Sequence, residues 1–439
     1  MNAPKSVDLV IDARYIVPVE PAETLVDHAL VVDGGRIVAL APSATIADTY
    51  AARERVTLPA HVLIPGLVNA HTHAAMTLMR GIADDVPLKT WLEDHIWPCE
   101  KRHVSPEFVA DGTLHAAAEM LKGGITCAND MYFYPDAAAR AYEAAGMRAL
   151  IGMPVLDFPT PYASDADAYL ARGFAARDAF KHAPRLTFAL APHAPYTVAD
   201  ETWRKIVMYA RQLDLPIHTH IAETRGEVDD ARAASGESPV LRLDRLGATG
   251  PSFIGVHAVH VDAADIETLA TQQCSVVHCP ISNMKLASGV APVAALMTRG
   301  INVALGTDGA ASNNRLDLFS EMHIASLLAK VATLDAAVLP AATVLRMATF
   351  AGAVALGLDG EIGSLVVGKQ ADAVAVDLSG VDALPMYDPI SHLVHVAGRE
   401  NVTDVWIAGE RVVDRRSITL LDEAVITTRA RAWQQRLQP

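Results

Sequence analysis

Apolar and polar residues follow two rhythms along this chain. Near the N-terminus, short apolar runs at Val7–Ile11, Ala29–Val32 and Arg36–Leu40 surround the turn-forming Asp33-Gly34-Gly35, a spacing that predicts a β-hairpin. The C-terminal stretch repeats the style in Gly363–Lys369, Ala371–Val376 and Val402–Ile407 ahead of Gly409. Hairpin-rich segments at both ends are expected to pair in space as one small β domain. Residues 1–61 and 363–439 are assigned to that domain, with residues 62–362 inserted between them as a separate core.

The core has the second rhythm. Short apolar strands are predicted to start near Val62, Gly124, Met147, Leu186, Pro216, Ser252, Ser275 and Asn302, separated by helical stretches such as Pro106–Leu121 and Asp262–Thr271. Eight strands with helical connections predict a TIM (β/α)8 barrel, so the fold class is α/β with a small β domain built from the two terminal segments. An open doubly wound sheet would carry a glycine-rich phosphate turn after an early strand, and none follows Val62–Gly66.

Composition narrows the partners. Among 439 residues, Lys and Arg number 36 against 51 Asp and Glu, a net charge of −15 with no long basic run, which excludes phosphate-driven binding of nucleic acid. Half of the chain is hydrophobic (51%), enough for a large buried core. Cys99, Cys127, Cys274 and Cys279 are too few and too irregular for a disulfide framework, which predicts a reducing, cytoplasmic setting. No export signal and no apolar stretch of about 18 residues is present, so no membrane association is expected.

A barrel presents its chemistry at the C-terminal ends of its strands. There the sequence offers His71-Thr72-His73 after the first strand, His218-Thr219-His220-Ile221-Ala222-Glu223 after the fifth, His257 after the sixth and Thr307-Asp308 after the eighth. Histidines two apart on an extended segment face the same side. His71, His73, one of His218 or His220, and Asp308 form a ligand set for one divalent cation, zinc by donor type, with a position left for water. A lone histidine is more often a satisfied core residue; four strand ends converging in order argue for a metal.

These segments, PGLVNAHTHAAM, HTHIAET and GTDGAASNN, resemble the amidohydrolase superfamily over nearly the whole chain. The resemblance implies a TIM barrel whose terminal segments together form a small β-sandwich, and a metal on His71, His73, His220 and Asp308, with His218 as a core or supporting residue. Two-metal members carry a lysine at the end of the fourth strand, whereas Leu186–His193 has none, which implies a single metal and the deaminase branch. Hydrolytic deamination of an aminopurine then gives roles: Asp308 relays a proton, Glu223 protonates the ring nitrogen, and His257 orients the water and steadies the developing alkoxide.

The segments Met79–Asp85, Leu88–Leu92 and Ile96–Glu100 resemble the 5-methylthioadenosine/S-adenosylhomocysteine deaminases. By that likeness Glu100 binds the ribose hydroxyls, Trp91 walls the nucleoside pocket and His193 contacts substrate. The runs His278–Asn283 and Ser312–Asn314 match as well and are expected to shape loops, with Cys279 a buried thiol. One departure stands out: the loop Gly152–Thr160 holds no arginine, although some relatives use arginines there to reach the carboxylate of S-adenosylhomocysteine. The implied partner is a small nucleoside, methylthioadenosine, S-adenosylhomocysteine or adenosine, acted on by a homo-oligomer (dimer or tetramer). The alternative is a sibling hydrolase of another amino- or chloro-heterocycle, such as guanine, cytosine or an s-triazine.

Overall fold

The computed structural model describes residues 4–438, whose sixteen strands divide equally between two sheets. The terminal sheet contains β1 (Lys5–Ile16), β2 (Leu25–Asp33), β3 (Arg36–Pro42) and β4 (Tyr50–Pro65). It is completed from the other end of the chain by β13 (Ala373–Asp377), β14 (Val402–Ile407), β15 (Glu410–Asp414) and β16 (Ser417–Ile418). Between them lie the parallel strands β5 (Leu67–Thr72), β6 (Ile125–Met131), β7 (Arg148–Val155) and β8 (Leu186–Pro192). The same sheet continues through β9 (Ile217–Ile221), β10 (Phe253–His257), β11 (Ser275–His278) and β12 (Asn302–Leu305) in unbroken sequence order.

Sequence order with parallel pairing throughout is the topology of a (β/α)8 barrel. Its strands are buried on both faces, as β5 and β6 show at every residue, which is why they read as apolar runs without alternation. The seam between β12 and β5 is closed just beyond the last ladder bond. The amides of Thr307 and Asp308 donate to the carbonyl of His71 at 3.1 and 3.0 Å. The Asn69 carboxamide adds two bonds, accepting from Thr307 N at 2.9 Å and donating to Thr307 Oγ1 at 2.8 Å. Gly306 makes this approach possible, since a Cβ there would stand 2.9 Å from the backbone nitrogen of His71.

The terminal sheet runs β16-β15-β14-β13-β4-β1-β2-β3 and is mixed, with β1 and β4 parallel. Leu9, Leu30, Leu63, Ala373 and Trp406 from strands far apart in this order share one apolar cluster, so the sheet curls over its own core. Its free edge is tied back as Ile37 N donates to Lys369 O and Ala371 N to Gly35 O, both at 2.9 Å. The expected hairpin is present: Val32 faces Ile37 and Asp33 faces Arg36 across Gly34 and Gly35, both with positive φ.

Two details differ from the sequence reading. The segment near Val62, expected to open the barrel, finishes β4 instead, where Ile64 pairs with Val374; the first barrel strand starts at Leu67. Val62–Pro65 is apolar on both faces because Leu63 enters the core of the terminal sheet while Val62 and Ile64 pack against the barrel. One apolar run thus contains two strands, broken at Pro65-Gly66. The last residues also leave the sheet: helix Glu423–Leu437 lies on the barrel helix Pro106–Lys122, with Trp433 against Phe108 and its indole N–H on Asp111 at 2.9 Å.

A buried ion pair joins the two sheets. Arg148 at the start of β7 donates from Nε and Nη2 to Asp372, just ahead of β13, at 3.0 and 3.1 Å, with side chains 9% and 1% exposed. Asp372 also accepts the amide of Ala408 at 2.8 Å. Asp372→Ala is expected to cost about 3–5 kcal/mol by stranding the guanidinium, seen as a lowered urea midpoint. A loss below about 1 kcal/mol would mean that water solvates the junction.

Candidate active site

The sequence-predicted polar residues meet at the barrel mouth. His71 lies in β5 and His73 just beyond it, His220 in β9, and Asp308 follows β12. Asp308 Oδ1 stands 3.3 Å from His71 Nε2 and 3.2 Å from His73 Nε2, while His220 Nε2 stands 3.3 Å from His71 Nε2. His71, His73 and Asp308 form one group whose ligand atoms all lie within 4.8 Å of each other, and His71, His220 and His257 form a second.

The outward-facing ring nitrogens explain this convergence. His73 Nδ1 donates to the carbonyl of Met131 at 2.5 Å and His220 Nδ1 to that of His193 at 2.6 Å. Those bonds fix the tautomers and leave the Nε2 lone pairs aimed inward. His71 Nδ1 meets His218 Nε2 at 3.0 Å, so His218 stands behind His71 while His220 enters the cluster. Two imidazole nitrogens 3.3 Å apart, each with its other nitrogen committed, satisfy each other poorly, and a divalent cation between them resolves the conflict. The donor set therefore fits a divalent metal.

Charge balance agrees. Burial drives the His71 ring down to about 3. Burial opposes protonation of His73 too, but Asp308 raises that ring to about 9. Burial would raise Asp308, yet its contacts with His71 and His73 hold it well below the carboxylate range. An ionised carboxylate that draws a proton onto a buried imidazole marks a place where positive charge is stabilised, and a divalent cation held by these donors would supply that charge.

Glu223 and His257 border the cluster, with Glu223 Oε2 3.8 Å from His257 Nε2. Glu223 is buried and pushed up to about 8, first by desolvation and then by Asp308, so it holds a proton at neutral pH. Asn283 Nδ2 donates to His257 Nδ1 at 3.0 Å, which leaves the proton of this imidazole on Nε2, facing the cluster. Ala222, His257, Ala258 and Asp308 all have positive φ, between 47° and 74°. Left-handed non-glycine residues at three strand ends mark strain held by surrounding contacts.

A cavity of about 620 Å³ opens over the cluster, and Trp91, Glu100, His193, Glu223, His257 and Asp308 all line it. Glu100 is half-buried, accepts the Tyr132 hydroxyl at 2.7 Å and is raised by desolvation to about 7. Burial lowers His193 to about 4, leaving a neutral ring whose Nδ1 lies 3.2 Å from Thr197 Oγ1. Trp91 keeps an indole N–H with no partner. The arginine-free loop is also in the wall, through Leu156, Phe158, Pro159, Thr160 and Pro161. Arg148 is locked on Asp372 and Arg172 lies over the Tyr162 ring, so neither reaches the cavity; Lys101 is the basic side chain along its wall.

Several groups at the site were given only loop-shaping roles by sequence reasoning. Ser282 and Ser312 both donate to Asp308 Oδ2, at 2.6 and 2.7 Å, which turns Oδ1 toward the histidines. Asn283 sets the tautomer of His257. Cys279 is buried, as expected of a packing thiol. Tyr132 is not legible as a site residue in the sequence, because a tyrosine after a strand has the appearance of core.

With this geometry in view, comparisons with known proteins agree with one another. The amidohydrolase family model matches residues 62–412. A 5-methylthioadenosine/S-adenosylhomocysteine deaminase of Saccharophagus degradans is 46% identical, covering 98% of this chain and 97% of that one. A protein of the same name from Teredinibacter turnerae is 44% identical, over 100% and 99%. The crystal structure of an adenosine deaminase from Xanthomonas campestris with bound zinc superposes with a TM-score of 0.97 at 49% identity, covering 99% of each chain. A triazine hydrolase variant, at TM-score 0.90 and 23% identity over 97% and 99%, shares the fold. A converging His/Asp cluster at the mouth of an eight-stranded barrel, near-complete coverage and these identities lead to one conclusion: the chain belongs to the amidohydrolase family, in its 5-methylthioadenosine/S-adenosylhomocysteine deaminase branch.

Proposed function

We propose that the protein hydrolyses the 6-amino group of an adenine nucleoside bearing a 5′-thio substituent, releasing ammonia and the inosine-type product. Methylthioadenosine and S-adenosylhomocysteine are the substrates in view, with adenosine as a further one. The observation that carries this reading is a buried Glu223 carboxyl beside a His/Asp cluster in a cavity that also holds Glu100, a carboxylate suited to a vicinal diol. The relatives named above support it.

His71, His73, His220 and Asp308 are the proposed ligands of one zinc ion, which when bound supplies an acidified water near neutral pH. Asp308, steadied by Ser282 and Ser312, takes a proton from the attacking water as its oxygen adds to C6. Glu223 gives its proton to N1, and His257 Nε2–H donates to the new oxygen. Asp308 then delivers its proton to the amino nitrogen and the C6–N bond breaks with loss of ammonia. The remaining hydroxyl proton returns to Glu223 as the C6 carbonyl forms, which closes the cycle.

Glu223→Gln is expected to keep one metal per chain and to lower kcat by about 10²–10⁴-fold, since it removes a proton donor and no ligand. His220→Ala is expected to lose metal, measured by mass spectrometry, whereas His218→Ala retains it. Retained metal in the first and lost metal in the second would exchange their roles.

The acid role also sets a pH dependence. Glu223 is active while protonated, and its raised value of about 8 means that activity persists below that pH and falls as pH rises through it. The alkaline limb of the kcat profile is expected there, and a flat profile up to pH about 9.5 would move the acid elsewhere.

An apolar loop at Leu156–Pro161 suits an uncharged thioether better than a zwitterionic tail. In an adenine-absorbance assay kcat/KM is expected to be higher for methylthioadenosine than for S-adenosylhomocysteine, with adenosine slower than the former. A preference for S-adenosylhomocysteine would overturn the loop assignment, and no change with any of the three would move the substrate to another heterocycle.

A further inference from the structure

The loop that presents Glu223 is held by a second carboxylate. Strand β9 ends at Ile221, and Ala222 turns into the left-handed region at φ 47° before Glu223 points into the cavity. A residue with a Cβ adopts that conformation at a cost of about 1–3 kcal/mol, so something must hold it. Both amides at the bend donate to one side chain: Ala222 N to Glu227 Oε1 at 3.0 Å and Glu223 N to Glu227 Oε2 at 2.8 Å. The two carboxylate oxygens therefore each take one N–H, a fork that fixes the direction of the peptide between the residues.

Glu227 is itself anchored. It is the third residue of the helix Arg225–Ser235, and its own amide donates to the hydroxyl of Thr224, the N-cap, at 3.2 Å. A glutamate at this position ordinarily reaches back to the amide of the capping residue. Here it passes over Thr224 and grips the two preceding residues. The side chain of Glu223, by contrast, is held loosely, with the Ser288 hydroxyl at 3.5 Å and His257 Nε2 at 3.8 Å. Its placement is set by its backbone.

We propose that Glu227 is the positioning residue for the general acid: its carboxylate holds the 222–223 backbone so that the Glu223 carboxyl reaches the ring nitrogen of the substrate. This rests on the reading of Glu223 as the acid. Glutamine at position 227 keeps the volume but offers one acceptor, and its amide N–H2 faces a backbone N–H.

The test is a double-mutant cycle between positions 223 and 227 on the metal-loaded full-length enzyme, with methylthioadenosine as substrate. Glu227→Gln is expected to lower kcat by about 10²-fold, the cost of misplacing a catalytic group by about 1 Å, with KM unchanged within about threefold and metal content unchanged. In the Glu223→Gln background the same substitution is expected to change kcat by less than about threefold, because the group it positions is already gone. Glu227→Asp, too short to span both amides, gives a second variant for the same cycle should the glutamine form misfold.

Wild-type kcat in Glu227→Gln, or an equal loss in both backgrounds, would overturn the proposal. If Glu223→Gln itself retains turnover, the reading of Glu223 fails first, and the two failures are thereby told apart.

Discussion

Everything at the barrel mouth depends on how the outer nitrogens of the imidazoles are occupied. A histidine offers a metal-binding lone pair on one nitrogen only when the other holds a proton, and burial makes that proton costly unless it has an acceptor. The carbonyls of Met131 and His193 supply the acceptors for His73 and His220. Both belong to barrel strand ends, so the backbone that builds the cavity also sets the tautomers. His218 Nε2 stands 3.0 Å from the outer nitrogen of His71, in the place that those carbonyls take for the others.

The barrel closure and the proposed metal site are for this reason one structure. Asn69 and Thr307 pair side chain to backbone and side chain to side chain across the β5–β12 seam, and the carbonyl of His71 takes the amides of both Thr307 and Asp308. Closing the seam brings the Asp308 carboxylate against His71 and His73. The same seam needs Gly306, where any side chain would strike His71. Ser282 and Ser312, in the short helices that follow β11 and β12, then turn Asp308, so the position of a single carboxylate oxygen is decided by residues from three segments of the chain.

This layering explains what the sequence made legible. Groups that act directly stand at strand ends in short motifs, HTH, HTHIAE and TD, because strand alternation and barrel topology leave few ways to aim them at one point. The apolar runs gave seven of the barrel strands near their observed starts, and missed the first because Val62–Val68 conceals a sheet boundary at Pro65-Gly66. The supporting groups were harder to read. Ser282, Ser312, Asn283 and Tyr132 matter through which atom they touch, and an isolated serine or tyrosine carries no periodicity that announces its contact.

Desolvation also links the substrate pocket to the chemistry. The apolar wall that suits a thioether and an adenine ring is the same low-polarity surrounding that raises Glu100 to about 7 and Glu223 to about 8. One of these carboxyls is supported by a tyrosine hydroxyl and can accept further hydroxyl donors. The other is raised by the same burial, with Asp308 adding to it. Replacing the wall by polar or basic residues would lower both values, so the apolar lining and the raised carboxyls are one property of the cavity.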